Sequence, residues 1–152
     1  MDAIDRKILE LLQRDASRSV EEIAAAVGVS TTPCWRRIRK LESNGVIRRR
    51  VALLDPAAVK LGLTAFVAVR TSQHNEKWLR KFVGGVQDIP EVIELHRLSG
   101  EIDYLLKVVV PDMARFDQVY KRLIGIAELS DVSSTFSMEA LKVTTELPLA
   151  YL

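Results

Sequence analysis

Apolar residues near the start of the chain recur at helical spacing: Ile4, Ile8, Leu11 and Leu12 share one face of a 3.6-residue wheel. This predicts an amphipathic helix over about residues 2–15, capped by Asp2 and with Asp5 in its first turn. Ser19 and Glu22 form an S-x-x-E capping box ahead of Ile23, Ala24, Ala26 and Val27, which predicts a second, short helix ending at Gly28. Ser30 then caps a third helix. In it Cys34, Ile38, Leu41 and the ring of Trp35 form the apolar side, and Thr32, Arg36, Arg39 and Lys40 the polar side. Pro33 is tolerated there because first-turn N–H groups lack intrahelical partners. Helix, Gly-containing turn and helix make a helix-turn-helix. Val46-Ile47 and Val51 to Leu54, on either side of three arginines and ahead of Asp55-Pro56, predict a short strand pair or wing.

After Gly62 the period changes from helical to extended. Segments 63–71, 91–99, 102–110 and 131–141 read as strands, and helices are expected near Glu76 to Val86 and from Met113 to about Ile126, the latter capped by Asp112. The order β-α-β-β-α-β is the ferredoxin-like split βαβ arrangement, an α/β sandwich. The fold class is therefore α+β: a winged helix-turn-helix domain at 1–54, a linker at 55–62 and a ferredoxin-like domain at 63–152. In segment 102–110, Ile102, Tyr104, Leu106, Val108 and Val110 alternate with Leu105 and Val109, so apolar side chains point to both faces of a central strand. Helices cover one face only, so a second copy of the chain is expected over the other.

Charge sharpens this division. Residues 1–60 hold 12 Lys/Arg against 8 Asp/Glu, and residues 61–152 hold 10 against 12, although the whole chain carries only +2. Between Arg36 and Arg50, seven cations (Arg36, Arg37, Arg39, Lys40, Arg48, Arg49 and Arg50) face Glu42 alone. A net +6 on a capped helix and the following turn is where a phosphate backbone would dock, although a solvated basic face has the same composition. Ser30, Thr31 and Thr32 at the helix start are placed near base edges, Arg36 and Arg39 toward bases or phosphates, and Arg48, Arg49 and Arg50 toward phosphates. Arg37 lies nearer the flank and either joins them or braces the fold. Lys40 completes the set.

No signal-peptide h-region opens the chain and no apolar run reaches the roughly 18–20 residues of a spanning helix, so a soluble, cytoplasmic protein without a membrane partner is expected. A single cysteine, Cys34, precludes an internal disulfide; its position among cations near a helix start suits either a redox-sensing thiol or a small core residue. His74 and His96 stand apart from any ligand partner, so no metal or other cofactor is called for. No Ser-His-Asp, Cys-His or Gly-rich phosphate pattern supports an enzyme, which leaves a DNA-binding regulator ahead of a stand-alone sensor or assembly protein.

Taken together, IDRKILELLQRDAS, VGVSTTPCWRRIRKLESNGVI, ALLDP, IPEV, LSGEIDYLLKVVVPD and VTTELPL resemble, in this order and over essentially the whole chain, the Lrp/AsnC or feast/famine family of bacterial and archaeal transcription regulators. The resemblance implies a winged helix-turn-helix domain, a hinge strand and a ferredoxin-like effector domain. It also implies dimers formed through the C-terminal sheets, and higher oligomers such as octamers around which double-stranded DNA wraps. TTPCW, VALLDP, TAFV and SSTFSMEALKVTT look closest to the branch that responds to cysteine.

An amino-acid effector needs an acceptor for its ammonium and donors for its carboxylate. In Ser99 to Tyr104 either Asp103 or Glu101 supplies the first, and the Gly100 turn with a hydroxyl such as Ser133, Thr135 or Ser137 the second. The alternative is that Gly100 and Asp103 only build the turn. The resemblance implies an effector site between dimers at Gly100, Asp103, Tyr104, Thr135, Phe136 and Ser137.

Overall fold

The computed structural model describes residues 1–152 as two units, one of Met1–Leu53 with Leu141–Leu152 and one of Leu54–Ala140. In the first, α1 (Ala3–Arg14) starts at a reciprocal cap: the Asp2 carboxylate accepts the Ile4 and Asp5 N–H groups at 3.0 and 2.9 Å, and Asp5 accepts the Asp2 N–H at 3.1 Å. α2 (Val20–Val27) repeats the device with Ser19 and Glu22. It ends at Gly28, whose φ of 75° is the left-handed conformation that lets its N–H reach back to the Ala24 and Ala25 carbonyls. Val29 and Ser30 separate Gly28 from α3 (Thr31–Ser43). Ile8, Leu9, Leu12, Ile23, Ala24, Cys34, Ile38 and Leu41 interlock as the core of the three helices. That core sets the angle at which α3 is held out.

The sequence places three features of this unit wrongly or incompletely. No strand forms between 46 and 54; residues 48–54 are exposed and make no backbone hydrogen bond, because the apolar runs beside the arginines are too short to pair with each other around three like charges. Leu141–Leu152, expected in the second domain, belongs to the first. Leu147 N–H donates to Gln13 Oε1 at 2.7 Å, Gln13 Nε2 donates to the Leu147 carbonyl at 3.2 Å, Arg14 pairs with Glu146 at 3.2 Å, and Leu149 packs on the helical core. Finally, Trp35 is not on the apolar side of α3: the residue is 50% exposed. It lies about 100° around the wheel from Cys34, and the arc facing the core is already filled by Cys34, Ile38 and Leu41.

The second unit is an antiparallel sheet of β1 (Leu63–Arg70), β2 (Val92–Arg97), β3 (Tyr104–Val110) and β4 (Asp131–Phe136) in the spatial order β2-β3-β1-β4, with α4 (Glu76–Gln87) and α5 (Met113–Ile126) between strands. This is the βαββαβ topology expected. The expected linker 55–62 lies in this unit as a turn in which Leu61 N–H reaches the Pro56 carbonyl at 2.7 Å. Ala65, Val67 and Val69 of β1 and Leu106, Val108 and Val110 of β3 pack against Trp78, Phe82 and Val86 of α4 and Phe116, Val119 and Leu123 of α5. Trp78 stacks on Phe82 at 4.9 Å and donates its indole N–H to the Glu128 carbonyl at 2.8 Å. At Gly85 a β-carbon would stand 2.5 Å from Ile126 Cγ2, so glycine is what lets α4 approach α5.

Alternation along the strands puts Thr64, Phe66, Ala68 and Arg70 of β1 and Leu105, Lys107 and Val109 of β3 on the face away from the helices. It is a mixed face. Leu105, Val109 and Phe66 are apolar, whereas Lys107 pairs with Glu94 at 3.1 Å, and Glu94 in turn meets His96 at 3.1 Å. The His96 and Lys107 contacts hold the Glu94 carboxyl below its ordinary range despite partial burial. No helix of the chain is long and apolar enough to cross a membrane.

Candidate nucleic-acid interface and effector loop

Because Cys34, Ile38 and Leu41 face inward, α3 turns Thr32, Arg36, Arg39 and Lys40 to solvent. Ser30 occupies the N-cap position with extended backbone (ψ 159°), but its hydroxyl makes no capping bond, so Ser30, Thr31 and Thr32 present free hydroxyls at the start of the helix. The cations divide by their partners. Arg36, Lys40, Arg48 and Arg49 are exposed and have no acidic partner. Glu42 takes two arginines, Arg39 at 3.2 Å through one oxygen and Arg50 at 3.1 Å through the other, which ties the segment after Gly45 to α3.

Arg37, counted from sequence with the DNA-facing set, is held inside the domain. Its guanidinium donates to Asp2 and to Asp5, each at 2.7 Å, and so clamps the start of α1 to the middle of α3. The bonds from the Asp5 backbone and from Arg37 hold the Asp2 carboxyl below the ordinary range, and Asp5 and Asp2 raise the already basic Arg37 further. Its flank position on the wheel was the available signal.

Cys34 is fully buried, and burial pushes its thiol pKa up, outweighing the nearby Arg37 charge. A sensor thiol needs the opposite shift and access to solvent, so the environment is that of a small core residue.

The effector candidates separate in this single chain. Gly100, at φ 138°, makes the turn between β2 and β3. Asp103 closes that turn: its carboxylate accepts the Thr71 N–H at 2.8 Å, its N–H donates to the Val69 carbonyl at 3.0 Å, and its carbonyl accepts the Leu98 N–H at 2.8 Å. Glu101 is open to solvent and 3.7 Å from Arg70. Tyr104 faces the helices, in the aromatic cluster with Trp78 and Phe82. Phe136 also turns inward, edge-on to Phe116 at 4.9 Å. Neither ring lies on the open face. Thr135 does, opposite Phe66, and Ser137 N–H bonds to the Thr64 carbonyl at 2.9 Å. Asp103 thus sits beside Val69 and Ser137 beside Thr64. Those anchor points are five residues, roughly 17 Å, apart along β1. One chain does not bring the two halves of the expected site together.

Sequence reasoning missed the pairing of Trp35 with Arg39, whose guanidinium lies 5.9 Å from the indole centroid. It also missed Arg70, the cation beside the Gly100 loop. The 100° offset of Trp35 from Cys34 could have exposed the first; nothing local to Arg70 marks the second.

Residues 1–42 match the AsnC-type helix-turn-helix domain, and residues 64–147 the Lrp/AsnC ligand binding domain. The DNA-binding transcriptional activator DecR of Escherichia coli K12 is 49% identical over 150 residues, covering 98% of this chain and 99% of its own. The crystal structure of an AsnC family transcriptional regulator from Agrobacterium tumefaciens superposes with a TM-score of 0.97 at 56% identity, over 100% of this chain and 99% of that one. A transcriptional regulator from Neisseria meningitidis in complex with L-Met superposes with a TM-score of 0.94 at 36% identity, over 99% and 98% of the two chains. A free basic face on a buttressed third helix and an antiparallel βαββαβ sheet thus occur together with family matches over both units: the chain belongs to the Lrp/AsnC family of transcriptional regulators.

Proposed function

We propose that this protein is a cytoplasmic, sequence-specific DNA-binding transcriptional regulator whose DNA-bound or oligomeric state responds to a small amino acid, cysteine being the first to test. The observation that carries the DNA half is the division of charge on α3 and the turn after it. Arg37 is consumed in bracing the fold, while Arg36, Lys40, Arg48 and Arg49 are left exposed without acidic partners. Unpaired cations beside three free hydroxyls match what a major groove and its phosphates require. In this reading Ser30, Thr31, Thr32, Arg36 and Arg39 meet base edges and nearby phosphates, and Lys40, Arg48, Arg49 and Arg50 hold the backbone. The L-Met complex of the Neisseria relative supports an amino-acid effector.

The effector site assigned here needs more than one copy. The Gly100–Asp103 turn and the Thr135–Ser137 end of β4 are complementary in chemistry but lie at opposite ends of β1, so a zwitterion touching both must bridge two chains. Asp103 contributes by shaping the turn, and Glu101 with Arg70 supplies exposed charges beside it. The open sheet face, with Phe66, Leu105 and Val109 around the Glu94–Lys107 pair, supports a self-association surface of the same chain.

The test is a binding titration with DNA fragments recovered from genomic pull-down, with and without each common amino acid. The double variant Arg36→Ala, Arg39→Ala should lose affinity and show a smaller salt dependence while keeping its oligomeric state. Unchanged affinity and salt slope would remove the assignment of α3. Calorimetry that detects no heat with any common amino acid would remove the effector half.

A further inference from the structure

A tryptophan half exposed in the middle of a cationic helix face contributes little to folding, since the core arc of α3 is filled without it. Its surroundings are ordered nonetheless. Arg39 lies over the indole at 5.9 Å and also pairs with Glu42 at 3.2 Å, and Glu42 in turn pairs with Arg50 at 3.1 Å. The guanidinium is therefore restrained by a π-face and a carboxylate that is already occupied on its far oxygen. A free arginine side chain loses rotamer freedom when it is fixed on a base, and these two contacts take part of that loss beforehand. Around the wheel Trp35, Arg39, Thr32 and Arg36 follow one another across the solvent face, so the ring borders the same surface as the groove-facing hydroxyls.

We propose that Trp35 is a specificity-determining residue of the DNA interface: its ring orients Arg39 for a bidentate contact to the O6/N7 edge of a guanine, and its exposed edge packs on the C5-methyl of a neighbouring thymine. The inference rests on the DNA-reading function given above and goes beyond it in assigning sequence discrimination to an uncharged side chain. Phosphate contacts hold any duplex alike, whereas base-edge and methyl contacts discriminate among sequences. Loss of Trp35 must then lower affinity for the preferred sequence alone.

The experiment uses the full chain, a duplex enriched by the wild type from a random-sequence pool, and a scrambled duplex of the same composition. Trp35→Ala should bind the enriched duplex at least about tenfold more weakly, with the scrambled duplex and the salt slope unchanged. Trp35→Phe, which keeps an aromatic face, should recover most of the loss, and Trp35→Ala combined with Arg39→Gln should cost less than the product of the single effects. The chain has one other tryptophan, Trp78, which is buried, so the Trp35→Phe protein reports Trp78 alone and the Trp35 fluorescence is the difference between wild type and that variant. The enriched duplex should shield Trp35 from acrylamide quenching more than the scrambled one does. Equal binding of the enriched duplex by wild type and Trp35→Ala, an equal loss on both duplexes, or equal shielding by both would overturn the proposal and leave the DNA-reading function standing. A wild type that enriches no sequence would overturn both.

Discussion

Neutralising Arg48 and Arg49 together, as Arg48→Gln with Arg49→Gln, tests the phosphate-holding role proposed for them. Neither residue has an acidic partner, and both are exposed, so the substitution breaks no ion pair and should leave folding intact. If each holds one phosphate, the slope of log affinity against log salt falls in magnitude by about 0.9 per residue, or about 1.8 for the pair. Between 50 and 200 mM salt this makes the variant's loss of affinity roughly twelvefold smaller than that of the wild type. Fluorescence anisotropy of a labelled duplex over that range measures it. Arg37→Gln is the internal control, because its two 2.7 Å bonds to Asp2 and Asp5 are spent on the fold. It should lower the melting temperature and leave the slope unchanged. A double variant with the wild-type slope, or an Arg37→Gln protein that loses slope instead, would refute the division of cations drawn here.

Adjacent glycines in α4 should respond with opposite signs in urea unfolding: Gly84→Ala, which meets nothing within 4 Å, should stabilise by up to about 1 kcal/mol through helix propensity. Gly85→Ala, which meets Ile126 at 2.5 Å, should destabilise by about 1 kcal/mol, since overpacking outweighs that gain. For Glu91, burial alone would raise the carboxyl, but its hydrogen bonds from Arg115 bring it below the ordinary 4.5. A carboxyl depressed on folding adds stability above about pH 4.5 that is lost as pH falls through the lower folded value, so Glu91→Gln should flatten the fall of the unfolding midpoint below about pH 4.5. An unchanged acid limb would contradict this. Cys34 should resist a thiol reagent in the native protein and react on denaturation; rapid native labelling would contradict its burial.

Much of the fold was legible because its signals are local. The Asp2 and Ser19 caps, the Gly28 stop and the alternation in β3 each act over a few residues, and each appears where the pattern puts it. What escaped the pattern depends on distant groups. Nothing near Leu147 says that it will pair with Gln13 in the first unit, and a strand at 46–54 needs a partner that the chain does not supply there. The same reason separates the two halves of the site. Which α3 side chains are exposed could be read from a wheel, where the flank position of Arg37 already allowed a bracing role although its partners lie more than thirty residues away, whereas Trp35, assigned to the apolar side, turned out half exposed. Tyr104 and Phe136 took their place in the expected effector site from a family pattern, whereas strand parity turns both toward the helices.

The most direct test of the central claim, that the α3 face reads DNA sequence, is the ratio of wild-type affinities for an enriched duplex and a scrambled one at a single physiological salt concentration. A ratio of about a thousand or more is expected of a sequence-specific regulator. A ratio near one would leave only the charge, and would contradict the claim.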